Sequence, residues 1–570
     1  MAAASDGLVV PAAFRPPVDS RKEFIKRELD SEDERIEVGV AIVGGGPAGL
    51  ACAIRLLQLL ADEPELMERL GEVPVAVVEK GKACGAHNLS GAMMRPSGLQ
   101  QLFPDLEPSD WPTYGQVDKD AVYWMLGPKR ALPLKPTPPP FRNHGNYVVS
   151  VAELSRWLAD KAEEAGAYIL TETSAQQLLV ADGAVRGIRS GDKGRGKDGE
   201  PLGNFEPGAD VTAKTTVLAE GTWGHLTGAA IREFGLAEDR EPQVWALGVK
   251  EVWEVERPLD RVVHTLGWPL RYGAKHHEFG GSWIYPMGED RVSIGFVVGL
   301  DYTDATVSGH DLLQQFKTSR LVRRILEGGK RVAWGAKAIP EGGYWAMPKL
   351  TAPGLVLCGD AGGMVNVPLL KGIHYAIHSG ILAAEQIFSS LKTGSTDLSG
   401  YEDAVEASVI GQDLYRSRNM KQPFAKGFFL GGAITNAMVV TKGRIPGGKW
   451  ANHPDAESPV EVGSKKDGYP KPDGKYTFDK LSSVYITGNA TRDDAPNHIR
   501  VQRRVPRALA ETWRWMCPAG VYEIPEDAPE DGQVDVIVNY TNCVQCGAIT
   551  AKGGRLTTPE GGDGPLYQIT

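Results

Sequence analysis

Three glycines spaced as Gly44-x-Gly46-x-x-Gly49 close the apolar run 38–43 and lead into the helical pattern 51–57. In that strand–turn–helix setting each glycine has a task. Gly44 allows the tight turn, Gly46 lets a pyrophosphate approach the backbone, and Gly49 lets helix and strand pack closely. The helix start adds free N–H groups and the positive end of a dipole. A second apolar run, 73–78, ends at Glu79, an acidic side chain placed to accept hydrogen bonds from ribose hydroxyls. The chemistry these residues suit is dinucleotide binding.

Further residues extend that reading. Strand 210–218 closes in Ala219-Glu220-Gly221, either an ordinary strand–turn or the second glycine turn of a flavin-binding chain. Strand 354–358 ends in Gly359-Asp360-Ala361-Gly362 and continues through Lys371-Gly372 into a helix over 375–391. An aspartate there suits the ribityl or phosphate region of a flavin nucleotide, with the next helix aiming its dipole at the ring. A contact segment so far from the fingerprint favours FAD over NAD. The pair Gly280-Gly281, inside His277–Trp283, leaves room for a flat ligand or for another backbone. Near the end stand Cys517-Pro518 and Cys543-x-x-Cys546, half of a ferredoxin-like ligand set. A [4Fe–4S] cube wants four thiolates, and where a third C-x-x-C step would fall the chain has Ile549. Cys84 reads as a small unligated side chain.

The elements that must position these groups read as mixed α/β (α+β). The spacing predicts a helix over 150–165 and strands at 168–170, 184–188 and 210–218. Alternating, aromatic-rich runs at 244–252, 282–285, 292–300 and 331–338 predict an antiparallel sheet inserted between the halves of the nucleotide-binding unit. The run 121–126 reads as a hairpin strand. Residues 1–37 read as a polar leader, a solvated helix or a loose arm. The apolar run 428–440, bordered by Lys426, Lys442, Arg444, Lys449 and Trp450, suits either a membrane interface or a buried core helix.

The 570 residues carry a net charge of −10, which argues against a nucleic-acid binder. Six cysteines in so long a chain suggest a reducing compartment and metal ligation rather than a disulfide framework. No stretch reaches the roughly 18 apolar residues of a spanning helix, and no secretory signal is evident. The expectation is a cytoplasmic, non-spanning protein.

At this point the chain resembles the electron transfer flavoprotein–ubiquinone oxidoreductase family. The resemblance runs over nearly the whole length and rests on Gly85-Ala86-His87-Asn88-Leu89-Ser90-Gly91, Asn143-His144-Gly145-Asn146-Tyr147 and His264-Thr265-Leu266-Gly267-Trp268-Pro269-Leu270. It continues through Gly295-Phe296-Val297-Val298-Gly299-Leu300-Asp301-Tyr302, Leu326-Glu327-Gly328-Gly329-Lys330-Arg331 and Asn366-Val367-Pro368. Tyr469-Pro470-Lys471-Pro472-Asp473-Gly474 and Cys517-Pro518-Ala519-Gly520-Val521-Tyr522-Glu523 complete it.

What the resemblance implies is an enzyme passing electrons from reduced electron transfer flavoprotein to a membrane quinone, ubiquinone or menaquinone. It implies FAD held by the Gly44 turn, Glu79 and Asp360, and a quinone headgroup near Gly280 and Gly281. It also implies a [4Fe–4S] cluster on the C-terminal cysteines, of which Cys517, Cys543 and Cys546 occupy three matching ligand positions. With Ile549 at the fourth, the outcomes are a [4Fe–4S] cube with a non-cysteine ligand, a [3Fe–4S] cluster, or a lost cluster with the domain kept for its shape. It places a monotopic protein at the cytoplasmic face of a bacterial inner membrane. The domains then run 1–37 (leader), 38–240 with 346–420 (FAD-binding), 241–345 (quinone-binding insert), 421–450 (membrane interface) and 451–570 (ferredoxin-like). Ile373 departs from the family's usual threonine beside the flavin. A flavin-dependent reductase or hydroxylase of the geranylgeranyl-reductase type, and a non-enzymatic flavin-bound partner, are the other readings; the cysteines and the 469–474 segment argue against the former.

Overall fold

The computed structural model describes residues 8–445 and 447–570. Two sheets organise it. In the first, parallel strands lie in the order Tyr168–Leu170, Val75–Val78, Ile36–Val43, Asp210–Leu218, Leu355–Leu357. The central runs Val75–Val78, 38–43 and Leu355–Leu357 are buried on both faces, which is why they read as continuous apolar stretches. Helix Pro47–Ala61 follows the fingerprint strand and lies against helix Ile373–Thr393. Their approach is close because Gly380 has no side chain: a Cβ there would stand 2.2 Å from the Ala48 carbonyl.

The second sheet runs Lys330–Pro340, Trp245–Glu254, Arg291–Gly299, Gly280–Met287, Val262–Gly267, Asp120–Met125, Ala131–Pro133. Along Trp245–Glu254 the side chains alternate. Leu247, Val249 and Trp253 enter a large core with the helix Gly309–Lys317, while Val252 joins a smaller one with Met93, Trp283 and Tyr285.

Two expectations need correction. The hairpin at 120–133 belongs to this second sheet, parallel to Val262–Gly267, although the sequence reading left it inside the nucleotide-binding unit. The reason is edge pairing: strand 262–267 has an open edge that only a distant segment can fill. The leader is not a loose arm either. Ile25–Lys26 pairs with Ala175–Ala181, and Lys26 with Arg189 holds the buried Asp210 at 2.8 and 2.9 Å. Residues 1–7 lie outside the described residues.

The C-terminal region is held by short two-stranded pairings and by the core around Trp513 rather than by one large sheet. Its last residues return to the first unit, where Ser150 Oγ and Ala152 N donate to the Thr570 carbonyl.

Candidate functional site

The fingerprint turn forms as its residue types require. Gly44 has φ +110°, and a Cβ there would lie 2.3 Å from the Ala219 carbonyl. At Gly49 a Cβ would lie 2.1 Å from the Gly44 carbonyl, so this glycine is what lets the helix sit on the strand. Gly46 caps helix Pro47–Ala61, which starts on a proline suited to the first helical turn. Glu79 is buried, and its two oxygens accept from the Gly45 and Gly81 N–H groups at 2.8 and 2.7 Å. Those bonds orient the carboxylate and leave lone pairs for a ribose. Cys84 packs over Gly45.

The second and third turns meet the first across a cavity of about 330 Å³. Gly44, Gly46, Glu79, Gly221, Asp360 and Gly372 all line it; Gly49 and Gly359 stand behind as packing glycines. Gly221 has φ +68° and Trp223 φ +62°, a turn closed by Glu220, whose carboxylate accepts from the Thr227 N–H at 2.6 Å. Gly372 caps helix Ile373–Thr393, so a second helix N-terminus faces the same space. Ile373 is in the wall as well. Burial pushes the Asp360 carboxyl up to about 6, against the pull of the Lys337 ammonium and the Thr222 hydroxyl.

Two polar atoms in the wall lack partners: His87 Nδ1 and Trp223 Nε1. A glycine cradle, two helix starts and unpaired donors make a site that fits a dinucleotide such as FAD.

One wall came as a surprise. Gln545, between Cys543 and Cys546, lines the cavity and has φ +52°. Lys80 Nζ donates to its side-chain oxygen at 2.5 Å, Lys337 Nζ to its carbonyl at 3.2 Å, and its amide donates to the Asp563 carbonyl at 3.1 Å. Ala338 N donates to the Cys546 carbonyl at 2.8 Å. Trp223 fills the space over Gly547 and stacks on Trp245 at 3.6 Å. The cysteine loop and the glycine turns therefore share one cavity. Nothing in the sequence signalled this, because the partners are more than 200 residues apart.

The three cysteines come together. Burial first raises the Cys543 and Cys546 thiols, Cys546 to about 12; Cys546 and Cys517 add to the shift at Cys543, and Cys517 to that at Cys546. Backbone N–H groups of Val521 and Gln545 point at Cys517 and Cys543 sulfurs, at 3.5 and 3.4 Å. Among the described residues no three His, Cys, Asp or Glu side chains converge on a single metal ion. A cluster, which spreads its ligands over several irons, is the group this spacing suits. Ile549 is buried and packs over Gly554 and Val501. Cys517, Cys543 and Cys546 are the three thiols this region offers a cluster, and Ile549 adds none.

Gly280 and Gly281 do not line the cavity. They lie on strand Gly280–Met287 between Trp283, in its wall, and Phe279, in the wall of a second pocket. A Cβ at Gly280 would meet the Val297 carbonyl at 2.0 Å and one at Gly281 the Thr265 carbonyl at 2.8 Å. The close approach the structure shows there is of neighbouring backbone.

Helix Phe428–Val440 buries only Gly431 and Met438, which removes the core-helix reading. Phe429 is 75% exposed and Val440 82%. Phe428 packs on Trp124 and Tyr272, at 4.9 and 4.1 Å between rings, so hairpin 120–133 and the helix share one apolar surface with Leu126 and Leu132. No described helix is long and apolar enough to cross a membrane.

With this geometry established, comparison with known proteins is informative. Residues 245–339 match the profile of the ubiquinone-binding domain of ETF-QO, and residues 474–568 the 4Fe-4S domain of electron transfer flavoprotein–ubiquinone oxidoreductase. A probable electron transfer flavoprotein–ubiquinone oxidoreductase of Acinetobacter baylyi is 36% identical over 94% of this chain and 99% of its own. The chain belongs to the electron transfer flavoprotein–ubiquinone oxidoreductase family. The mitochondrial protein of that name from Bos taurus is 38% identical over 96% of this chain and 91% of its own. A geranylgeranyl bacteriochlorophyll reductase-like protein from Thermoplasma acidophilum matches at TM-score 0.52 and 19% identity, over 72% of this chain and 92% of that one. That likeness concerns the fold alone. Within the family this member keeps the C-terminal domain while carrying Ile549 after its paired cysteines.

Proposed function

We propose that this chain oxidises reduced electron transfer flavoprotein and reduces a membrane quinone, ubiquinone or menaquinone. The observation that carries the reading is the single cavity walled by both the glycine turns and the cysteine loop. FAD, when bound, supplies a group that takes electrons singly or in pairs, which a one-electron donor and a two-electron acceptor require. Gly44, Gly46, Gly221 and Gly372 would cradle it, Glu79 would hold the ribose, and Asp360 the ribityl–phosphate region, with Gly49 and Gly359 packing the elements behind. Lys80 and Lys337 hold positive charge between that cavity and the thiols, and burial lowers both ammonium groups, Lys80 to about 8. Cys517, Cys543 and Cys546 would ligate a three-iron cluster, since the buried Ile549 has no donor atom. A quinone headgroup would lie near Gly280 and Gly281, on the strand that runs from Phe279 in the second pocket to Trp283 in the cavity wall.

The apolar surface of Phe429, Leu430, Val440 and Leu126 supports monotopic seating on a membrane, and the basic and aromatic border around Lys426 and Trp450 suits its interface. Six free cysteines support placement at the cytoplasmic face of a bacterial inner membrane. Direct reduction of an isoprenoid is disfavoured, because it gives the cysteine loop no part in the cavity.

The test is reduction of a quinone analogue by the purified holoenzyme with reduced electron transfer flavoprotein as donor. Turnover is expected, with a paramagnetic cluster signal in the oxidised protein. A chain that retains flavin but leaves the quinone unreduced would overturn the reading.

A further inference from the structure

A buried group of charged side chains joins the cofactor cavity to the second pocket. Glu341 lines the cavity just beyond strand Lys330–Pro340. Its carboxylate pairs with Lys421 at 2.9 Å, and Lys421 lines the second pocket together with Asp301. That pocket lies under the apolar helix, bounded by Phe424 and Phe428. Behind the pair stand Asp455, 2% exposed, and Lys552, fully buried. Asp455 accepts from the Trp245 N–H at 2.8 Å through one oxygen, while its other oxygen and Oδ1 of Asp301 have no hydrogen-bond partner. Lys552 Nζ reaches only carbonyl oxygens, those of Asp455 at 3.3 Å and Tyr302 at 3.5 Å.

Such a group is costly as a purely structural device. A buried ion pair returns little net stability, and each unpartnered carboxylate oxygen adds a desolvation penalty. Burial raises the Asp455 carboxyl, and burial lowers the Lys552 ammonium. At Lys421 burial works against the charge, but Glu341, Asp301 and Asp455 outweigh it and hold the ammonium above its ordinary value. Other charged groups nearby are already committed: Glu278 and Asp304 both pair with Arg271, at 2.5 and 2.8 Å. His277 and His453 stand at the pocket wall.

We propose that Glu341, Lys421, Asp301, Asp455 and Lys552 form a proton path between the second pocket and the cofactor cavity. This deepens the function proposed above and rests on it. Making a quinol from a quinone takes two electrons and two protons and forms two O–H bonds. The flavoprotein donor supplies the electrons, and water at the second pocket supplies the protons. Glu341 is the last member, because it alone of the five is in the cavity wall.

The test injects electrons into the FAD-loaded protein from a flash-excited ruthenium complex, which donates no protons, and follows proton uptake with a pH-indicator dye. In Glu341→Gln we expect the flavin absorbance to bleach at the unmodified rate while uptake slows at least tenfold. Asp455→Asn and Asp301→Asn should slow it likewise, and they decide the matter should Glu341→Gln fold poorly or lose flavin. Uptake at the unmodified rate in the well-folded variants would overturn the proposal. Quinone turnover by the unmodified protein is measured separately, so that turnover with normal uptake in the variants rejects the path alone.

Discussion

The glycine turns and the cysteine loop wall one cavity, yet they are built in opposite ways. At Gly44 and Gly221, with Gly49 packed behind them, the backbone itself walls the cavity, and a single Cβ would strike a carbonyl or force a left-handed conformation. Around Cys517, Cys543 and Cys546 the side chains would be the ligands, and the backbone between the last two is carried by Gln545 and its lysine partners. The difference shows in how each tolerates change. A backbone cradle cannot lose a glycine without moving strands, whereas a side-chain ligand set can lose one member, as Ile549 illustrates, and leave the surrounding packing in place.

The sharpest way to break this contrast is on the glycine side. Gly49→Val should cost about 3 kcal/mol, since its side chain must displace the Gly44 carbonyl, and flavin retention should be lost. Denaturant melts and the ratio of flavin to protein absorbance measure both. If that variant keeps full flavin, the cradle is softer than argued.

Asp360 gives the next effect, read in flavin-free protein. Its carboxyl is raised from 3.8 to about 6. Between roughly pH 4 and 6 the folded chain therefore holds a proton that the unfolded chain releases, and stability falls as pH rises, by about 2–3 kcal/mol, then stays level. Asp360→Asn should flatten that slope in melts taken across the window.

On the cysteine side Ile549→Cys supplies a fourth thiolate. Iron content should rise from about three to about four per chain, and the cluster signal should move from the oxidised to the reduced protein. Unchanged iron and spectrum would mean that position 549 does not face the cluster. Gln545→Leu, which strips Lys80 of its acceptor, should cost about 1–2 kcal/mol and leave iron content intact. The smallest change in stability belongs to a surface serving neither loop. Phe429→Ser should shift stability by less than about 0.5 kcal/mol while weakening vesicle binding roughly tenfold, as loss of one exposed aromatic anchor would.

The sequence by itself determined the parts whose physics is local. Gly44, Gly46, Gly49 and Glu79 sit within one strand–turn–helix–strand unit, where steric limits act between neighbours and leave a spacing that can be read. The paired cysteines and the strand ending in Gly359-Asp360 are legible for the same reason, as is the apolar run 428–440. Only the tertiary structure decided that hairpin 120–133 joins the second sheet and the apolar surface, that Gln545 walls the cavity between Lys80 and Lys337, and that Glu341 meets Lys421. Those partners are separated by tens to hundreds of residues and leave no periodicity. What brings them together is the burial of shared apolar surface across the whole chain, which no local spacing records.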